Sequence, residues 1–81
     1  MRFLMKIQLS DPNAAVSDTR LNEKMRLLFQ SVGATAVYAT LEGGRRTDWA
    51  AIDLADPAAI TPVARALFHK IKVKTEFLAE D

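Results

Sequence analysis

Hydrophobic and polar side chains alternate along the first nine residues of the chain. The apolar set consists of Phe3, Met5, Ile7 and Leu9, and the set between them consists of Leu4, Lys6 and Gln8. Because successive side chains of a strand point to opposite faces, this period of two predicts a β-strand with one well-buried face. Residues 10–13 then have the composition of a turn.

A helical pattern follows this turn. Its apolar residues recur at spacings of three and four, and they are Leu21, Met25, Leu28, Phe29 and Val32. This spacing predicts an amphipathic helix that buries one stripe of its surface. Asp18 or Thr19 is suited to cap the first turn of the helix, and Gly33 is suited to end it.

The middle of the chain predicts two strands joined by a tight turn. Residues 34–41 and 47–54 have strand-like patterns, and Gly43-Gly44 lies between them. Glycine adopts the positive φ angles that two-residue hairpin loops require, so the pair predicts an antiparallel hairpin.

The last third of the chain predicts a second helix and a fourth strand. Asp56-Pro57 ends the third strand, and Pro62 places the start of the regular helix near Thr61, the expected N-cap. The predicted buried stripe of this helix comprises Val63, Ala64, Leu67, Phe68 and Ile71. Residues 73–78 are predicted to form the last strand.

The predicted order of elements is strand, helix, strand, strand, helix, strand. With right-handed crossovers and a central hairpin, this order predicts an α+β, ferredoxin-like sandwich of four antiparallel strands with both helices on one face. Residues 1–81 have the length and the 49% hydrophobic content of a single globular domain. The second face of such a sheet, which we call the open face, is left uncovered by the helices.

The hairpin predicts which residues lie on the open face. A two-residue loop at Gly43-Gly44 sets Glu42 opposite Arg45, and it pairs Thr40 with Thr47, Tyr38 with Trp49 and Ala36 with Ala51. Residues on the helix-packed side are then Val37, Ala39, Leu41, Ala50, Ile52 and Leu54. Arg46 and Asp48 also fall on that side, so the hairpin tip is expected to project, solvated, beyond the helices.

Six polar and aromatic residues are candidates for ligand binding or for a dimer contact on the open face: Lys6, Gln8, Tyr38, Thr40, Trp49 and Asp53. Lys6 and Asp53 are candidates for a buried pair inside a dimeric barrel, and the alternative is that they are simply paired or solvated at an end of the sheet. The last strand adds either Thr75 and Phe77 or Lys74, Glu76 and Leu78. Large apolar side chains beside polar ones favour a covered surface. The expected cover is the open face of a second copy, which gives a homodimer with a partly polar interior.

Charge and composition narrow the classes of partner. The net charge of +1 gives no strong field for nucleic acid or for an anionic membrane, and no apolar run approaches the length of a spanning helix. An RNA-binding sheet is a less favoured alternative, which is considered only because the predicted strand order matches that of such sheets. The chain has no cysteine, which fits a cytoplasmic location.

Catalytic chemistry is not indicated by the titratable residues. The single histidine, His69, adjoins Lys70 in the second predicted helix and is interpreted as a surface residue without a partner for base catalysis. Acidic residues do not cluster at any metal-ligand spacing. No catalytic residue, metal or cofactor is therefore predicted.

Nearly the full length of the chain resembles a known superfamily. The matching segments are Met1-Arg2-Phe3-Leu4-Met5-Lys6-Ile7, Ala36-Val37-Tyr38-Ala39-Thr40-Leu41-Glu42-Gly43-Gly44-Arg45-Arg46, Asp53-Leu54-Ala55-Asp56-Pro57 with Ile60, and Ala66-Leu67-Phe68. They are similar to short bacterial proteins of the dimeric α+β barrel superfamily, in a subgroup of unassigned function. That superfamily forms homodimers and includes small monooxygenases, lactone isomerases and stress-response proteins.

Besides the less favoured RNA-binding sheet, three functions are compatible with these observations. The favoured hypothesis is a homodimeric barrel that binds a small, partly apolar molecule between its two sheets. The alternatives are a dimerisation module without a ligand and a small cofactor-free enzyme of the monooxygenase or isomerase type, for which His69 lies outside the sheet.

Overall fold

Four strands and two helices form in the predicted order in the computed structural model, which describes residues 1–71, 73 and 75–80. A short 3₁₀ turn, Pro57–Ala59, precedes the second helix. The elements are β1 (Arg2–Gln8), α1 (Thr19–Gln30), β2 (Thr35–Glu42), β3 (Arg45–Asp53), α2 (Ile60–Ile71) and β4 (Thr75–Glu80).

The four strands form one antiparallel sheet in the order β2-β3-β1-β4. The central strand β1 pairs on both sides, and Met5 lies opposite Ala50 on β3 and Phe77 on β4. This order, with β-α-β-β-α-β connectivity, confirms the α+β, ferredoxin-like fold.

One face of the sheet and both helices share a hydrophobic core. Met5 and Ile7 on β1, Phe29 on α1 and Leu67 on α2 have at most 1% of their surface exposed. Burial of each such side chain contributes about 1.5–3 kcal/mol to folding. Because these residues belong to one cluster, both helices pack on the same face of the sheet, and the opposite face is the open face.

The helix starts are set by aspartates. Asp18, one of the two predicted candidates, caps α1, and its Oδ1 accepts hydrogen bonds from the backbone N–H groups of Arg20 and Leu21 at 3.0 and 3.2 Å. The prediction that Thr61 caps the second helix was wrong. Asp56 instead accepts from the backbone N–H of Ala58 at 2.8 Å, and the chain continues through the 3₁₀ turn into α2.

The buried stripe of α2 is narrower than predicted. Leu67 has no exposed surface, whereas Phe68 is 49% exposed, so the prediction that Phe68 is buried was wrong. The two residues are neighbours in the helix, and a rotation of about 100° between them turns the phenyl ring from the core toward the edge of the sheet.

The hairpin register agrees with the prediction as far as Tyr38. Glu42 lies opposite Arg45, Thr40 opposite Thr47 and Tyr38 opposite Trp49. A β-bulge at Val37 then shifts the pairing, so Ala36 lies opposite Ala50 and not, as predicted, opposite Ala51.

Strand β2 is an edge strand, and this explains a second error. Val37 and Leu41 were predicted in the helix-packed core, but they are 54% and 61% exposed. Val37 lies where the pairing with β3 is interrupted, Leu41 lies next to the Gly43-Gly44 turn, and β2 has a neighbouring strand on one side only, so neither side chain is enclosed.

The hairpin does not project beyond the helical layer, which corrects the prediction for Arg46 and Asp48. Both residues are almost fully buried, and their side chains form two hydrogen bonds, Nε to Oδ1 at 2.7 Å and Nη2 to Oδ2 at 2.9 Å. Arg46 Nη1 also donates to the backbone oxygen of Ala15 at 2.8 Å. The segment between β1 and α1 therefore closes over an ion pair on the helix side of β3.

Candidate functional site

The strand register defines the open face residue by residue. Its members on β1 and β3 are Arg2, Leu4, Lys6, Gln8, Arg45, Thr47, Trp49, Ala51 and Asp53. Its members on the two edge strands are Thr35, Tyr38, Thr40, Glu42, Glu76, Leu78 and Glu80. All six candidate residues therefore share this face, although their role there remains a prediction.

The register also decides which alternative holds for β4. Glu76 and Leu78 lie opposite Lys6 and Leu4, so they belong to the open face. Phe77 faces the core, where its ring meets that of Phe3 edge to face at 6.3 Å. Lys74, which was predicted with Glu76 and Leu78, lies outside the described residues.

Two aromatic rings form the apolar centre of the candidate site. Tyr38 and Trp49 are stacked across β2 and β3, with ring centroids 6.0 Å apart and an interplanar angle of 19°. Such a pair contributes about 0.5–1.5 kcal/mol beyond the area that it buries. Tyr38 remains 51% exposed, so a ring face is available to another molecule.

A cation lies beside this aromatic pair. Lys6 is directly opposite Trp49 in the sheet, and its ammonium nitrogen is 5.5 Å from the centroid of the indole ring. The separation is within the range of a cation–π interaction. The site thus combines a flat apolar surface with a fixed positive charge.

Glu42 holds this charge in place. Lys6 Nζ donates to Glu42 Oε1 at 2.6 Å, and Gln8 Nε2 donates to the backbone oxygen of Glu42 at 3.0 Å. Both side chains reach from β1 across β3 to β2, and Thr47 on β3 has no exposed surface. The hydrogen bond to Glu42 raises the pKa of Lys6 above its ordinary value, partial burial opposes this rise, and the charges of Glu42 and Glu76 add to it.

Replacing Glu42 with glutamine is expected to lower the pKa of Lys6. The raised pKa means that the stabilisation by the pair is complete below the ordinary lysine pKa and is lost as pH rises through the value in the folded protein. NMR titration of the Lys6 side chain in wild type and Glu42→Gln measures the change directly. Glu23→Gln, on the exposed surface of α1, serves as the control, and an equal Lys6 titration in wild type and Glu42→Gln would refute the assignment.

Lys6 and Asp53, the candidates for a buried pair, are not in contact within one chain. Asp53 lies opposite Arg2, four residues along β1 from Lys6, which corresponds to about 13 Å along a strand. Lys6 instead contacts Glu42, which sequence reasoning placed on the same face but interpreted only as the partner of Arg45. Glu42 could have been predicted as the partner, because a long lysine side chain reaches diagonally across one strand to the next.

The remaining features to consider are the single histidine, metal-binding groups and membrane-spanning helices. His69 is exposed in the last turn of α2, as predicted, and α2 packs on the opposite side of the sheet. Residues 1–71, 73 and 75–80 contain no group of three side chains that could hold a metal ion. Within the same residues no helix combines the length and apolar character needed to cross a membrane.

The open face can therefore bind by stacking, by apolar contact and by charge. Its exposed surface includes half of Tyr38 and 47% of Leu78, and the Lys6–Glu42 pair borders the stacked rings.

Comparison of the chain with known proteins identifies no relative. No protein-family model, no curated protein and no solved structure matches it.

Proposed function

We propose that the chain is a homodimer in which two open faces meet and bind a small, partly apolar molecule between them. The observation that carries the proposal is the stacked Tyr38–Trp49 pair beside Lys6, on a sheet face that no helix covers. The arrangement agrees with the dimeric barrel that the resemblance of the sequence implies.

The apolar content of the open face supports its burial in a dimer. Tyr38 and Leu78 have about half of their surface exposed, and Leu4 lies beside Leu78 on the neighbouring strand. Contiguous apolar groups within a polar rim are typical of interaction surfaces. A chain of 81 residues also has a small core, so association adds stability that the monomer lacks.

The charges on the open face suit contact with an identical face. In a two-fold dimer the same patch meets itself, so a patch complementary to itself must carry both signs of charge. Cations lie at Arg2 and Lys6 on β1 and at Arg45 on β3, and carboxylates lie at Asp53 on β3 and at Glu42, Glu76 and Glu80 on the edge strands. The open face therefore carries both signs of charge, as a self-complementary patch requires.

The proposed ligand has a planar apolar part and a polar substituent. The planar part stacks on the exposed face of Tyr38, and the substituent interacts with the polar network of Lys6, Gln8 and Glu42. Binding by shape and stacking needs no catalytic group, so the proposal is a binding function.

Sedimentation velocity and tryptophan fluorescence test the two parts separately. The wild-type protein at micromolar concentration is expected to sediment with twice the chain mass of 9.0 kDa. Trp49 is the single tryptophan, so its emission reports on the open face alone. Titration with benzyl alcohol, which has a planar ring and a hydroxyl group and does not absorb tryptophan emission, is expected to change that emission saturably, and Tyr38→Leu is expected to weaken the binding.

Each outcome has a distinct meaning. A monomer mass at micromolar concentration would refute the dimer. A dimer whose Trp49 emission does not respond to the probe would refute the ligand site and favour the alternative of a dimerisation module.

A further inference from the structure

One row of side chains crosses the whole width of the open face. Tyr38 on β2 lies opposite Trp49 on β3, and Trp49 lies opposite Lys6 on β1. Lys6 in turn lies opposite Glu76 on the other edge strand, β4. The sheet therefore holds the aromatic pair, a cation and a carboxylate in one line.

The charge of Lys6 is already matched within the chain. Its ammonium nitrogen lies 2.6 Å from Glu42 Oε1 and 5.5 Å from the centroid of the Trp49 ring, so the side chain reaches toward β2 and away from β4. Glu76 forms no ion pair in the described part of the chain, although its charge acts on Lys6. Two carboxylates thus accompany one ammonium group along this row, and the local excess of charge is negative.

The unused hydrogen-bonding groups beside the rings include two acceptors. Lys6 Nζ and Gln8 Nε2 both donate to Glu42, one to its carboxylate and the other to its backbone oxygen. Glu42 Oε2 and the side-chain oxygen of Gln8 accept no hydrogen bond from the described residues. Such groups are complementary to a ligand that donates hydrogen bonds.

The exposed ring adds to the same preference. The faces of aromatic rings carry partial negative charge and attract cations. Tyr38 is 51% exposed, whereas the ammonium of Lys6 lies beside the ring of Trp49. An anionic ligand would instead have to compete with Glu42 for Lys6, and it would be repelled by the charge of Glu76.

We infer that the molecule bound between the open faces is an aromatic amine in its cationic form. This inference rests on the proposed function and specifies the class of its ligand. The ring of the amine stacks on Tyr38, its ammonium group donates to the unused oxygen of Glu42, and the charge of Glu76 adds to the negative potential of the site.

The test compares three probes that share a phenyl ring and differ in charge: benzylamine, a cation at neutral pH, benzyl alcohol and benzoate. Each is titrated into the wild-type protein, and the NMR shift of the indole N–H of Trp49, the single tryptophan, gives the affinity. Benzylamine is expected to bind about tenfold more tightly than benzyl alcohol, as for one added charged hydrogen bond. Benzoate is expected to bind more weakly than either.

Two variants locate the origin of this order. Glu42→Gln removes the carboxylate and releases Lys6, so it is expected to weaken benzylamine about tenfold, to strengthen benzoate and to change benzyl alcohol by less than about twofold. Glu76→Gln is expected to weaken benzylamine about threefold, as for a more exposed charge. Glu23→Gln, on the exposed surface of α1, is the matched control and is expected to change no affinity. Because damage to the fold would weaken all three probes alike, the change in their order separates charge selectivity from a structural effect.

The outcomes distinguish this inference from the proposed function. Saturable binding of benzyl alcohol with benzylamine no tighter, or with benzoate the tightest, would overturn the inference and leave the binding site in place. An unchanged order of affinities in Glu42→Gln would overturn it as well. No response of Trp49 to any of the three probes would refute both the site and the class of its ligand.

Discussion

Replacement of Asp48 by alanine is expected to remove about 3–5 kcal/mol of folding stability. The substitution leaves the guanidinium of Arg46 buried with the backbone oxygen of Ala15 as its remaining partner. An unpaired buried charge is among the most destabilising changes known in proteins. Because small domains are stable by only about 5–15 kcal/mol, the substitution is expected to remove a large part of the free energy of unfolding. Urea denaturation followed by circular dichroism measures the loss.

Two further variants separate the charge from the packing. Asp53→Ala removes a carboxylate from an exposed position of the same strand and is expected to change stability by less than about 0.5 kcal/mol. The double variant Arg46→Met/Asp48→Val removes both charges and is expected to recover most of the stability, since apolar replacements of buried ion pairs are often neutral or stabilising. A loss below about 1 kcal/mol in Asp48→Ala would contradict the buried pair.

Replacement of Trp49 by alanine is expected to raise the dissociation constant of the proposed dimer about 100-fold, or 2.7 kcal/mol. Trp49 lies at the centre of the open face, where it stacks on Tyr38 and meets the ammonium of Lys6. Truncation therefore removes the largest ring of the proposed interface, and Tyr38 and Lys6 both lose their contact with it. Sedimentation equilibrium over a range of concentrations measures the constant.

Leu27→Ala is the matched control for this experiment. Leu27 is a large apolar residue, 51% exposed on α1, on the helical layer and away from the open face. It is expected to leave the dimer unchanged. Circular dichroism is expected to show intact helices in both variants, since neither residue belongs to the core cluster. If Trp49→Ala remains as tightly dimeric as wild type, Trp49 is not at the interface.

Local patterns were sufficient to predict most of the architecture. The alternation in β1 identified its buried face, because a strand on one core has a simple period of two. Gly43 and Gly44, at φ angles of +61° and +78°, fixed the loop length, and the loop length set Tyr38 opposite Trp49. These features depend on residues that are close together in the sequence, so they can be predicted without a structure.

The features that escaped prediction depend on contacts between distant segments. The burial of Arg46 and Asp48 follows from the path of the chain around Ala15, and no periodicity within β3 encodes that path. The partner of Lys6 is decided by diagonal reach across a strand, so within one chain Lys6 pairs with Glu42 and not with the candidate Asp53. The bulge at Val37 has no glycine to mark it.

That bulge has a consequence for how the protein avoids uncontrolled polymerisation. An edge strand presents unpaired backbone donors and acceptors, and it can template the addition of further strands. An incoming strand cannot keep its hydrogen bonds on both sides of Val37 unless it carries an irregularity at the matching position. The β2 edge is thereby protected against fibril-like growth, although two large apolar residues, Val37 and Leu41, are exposed on it.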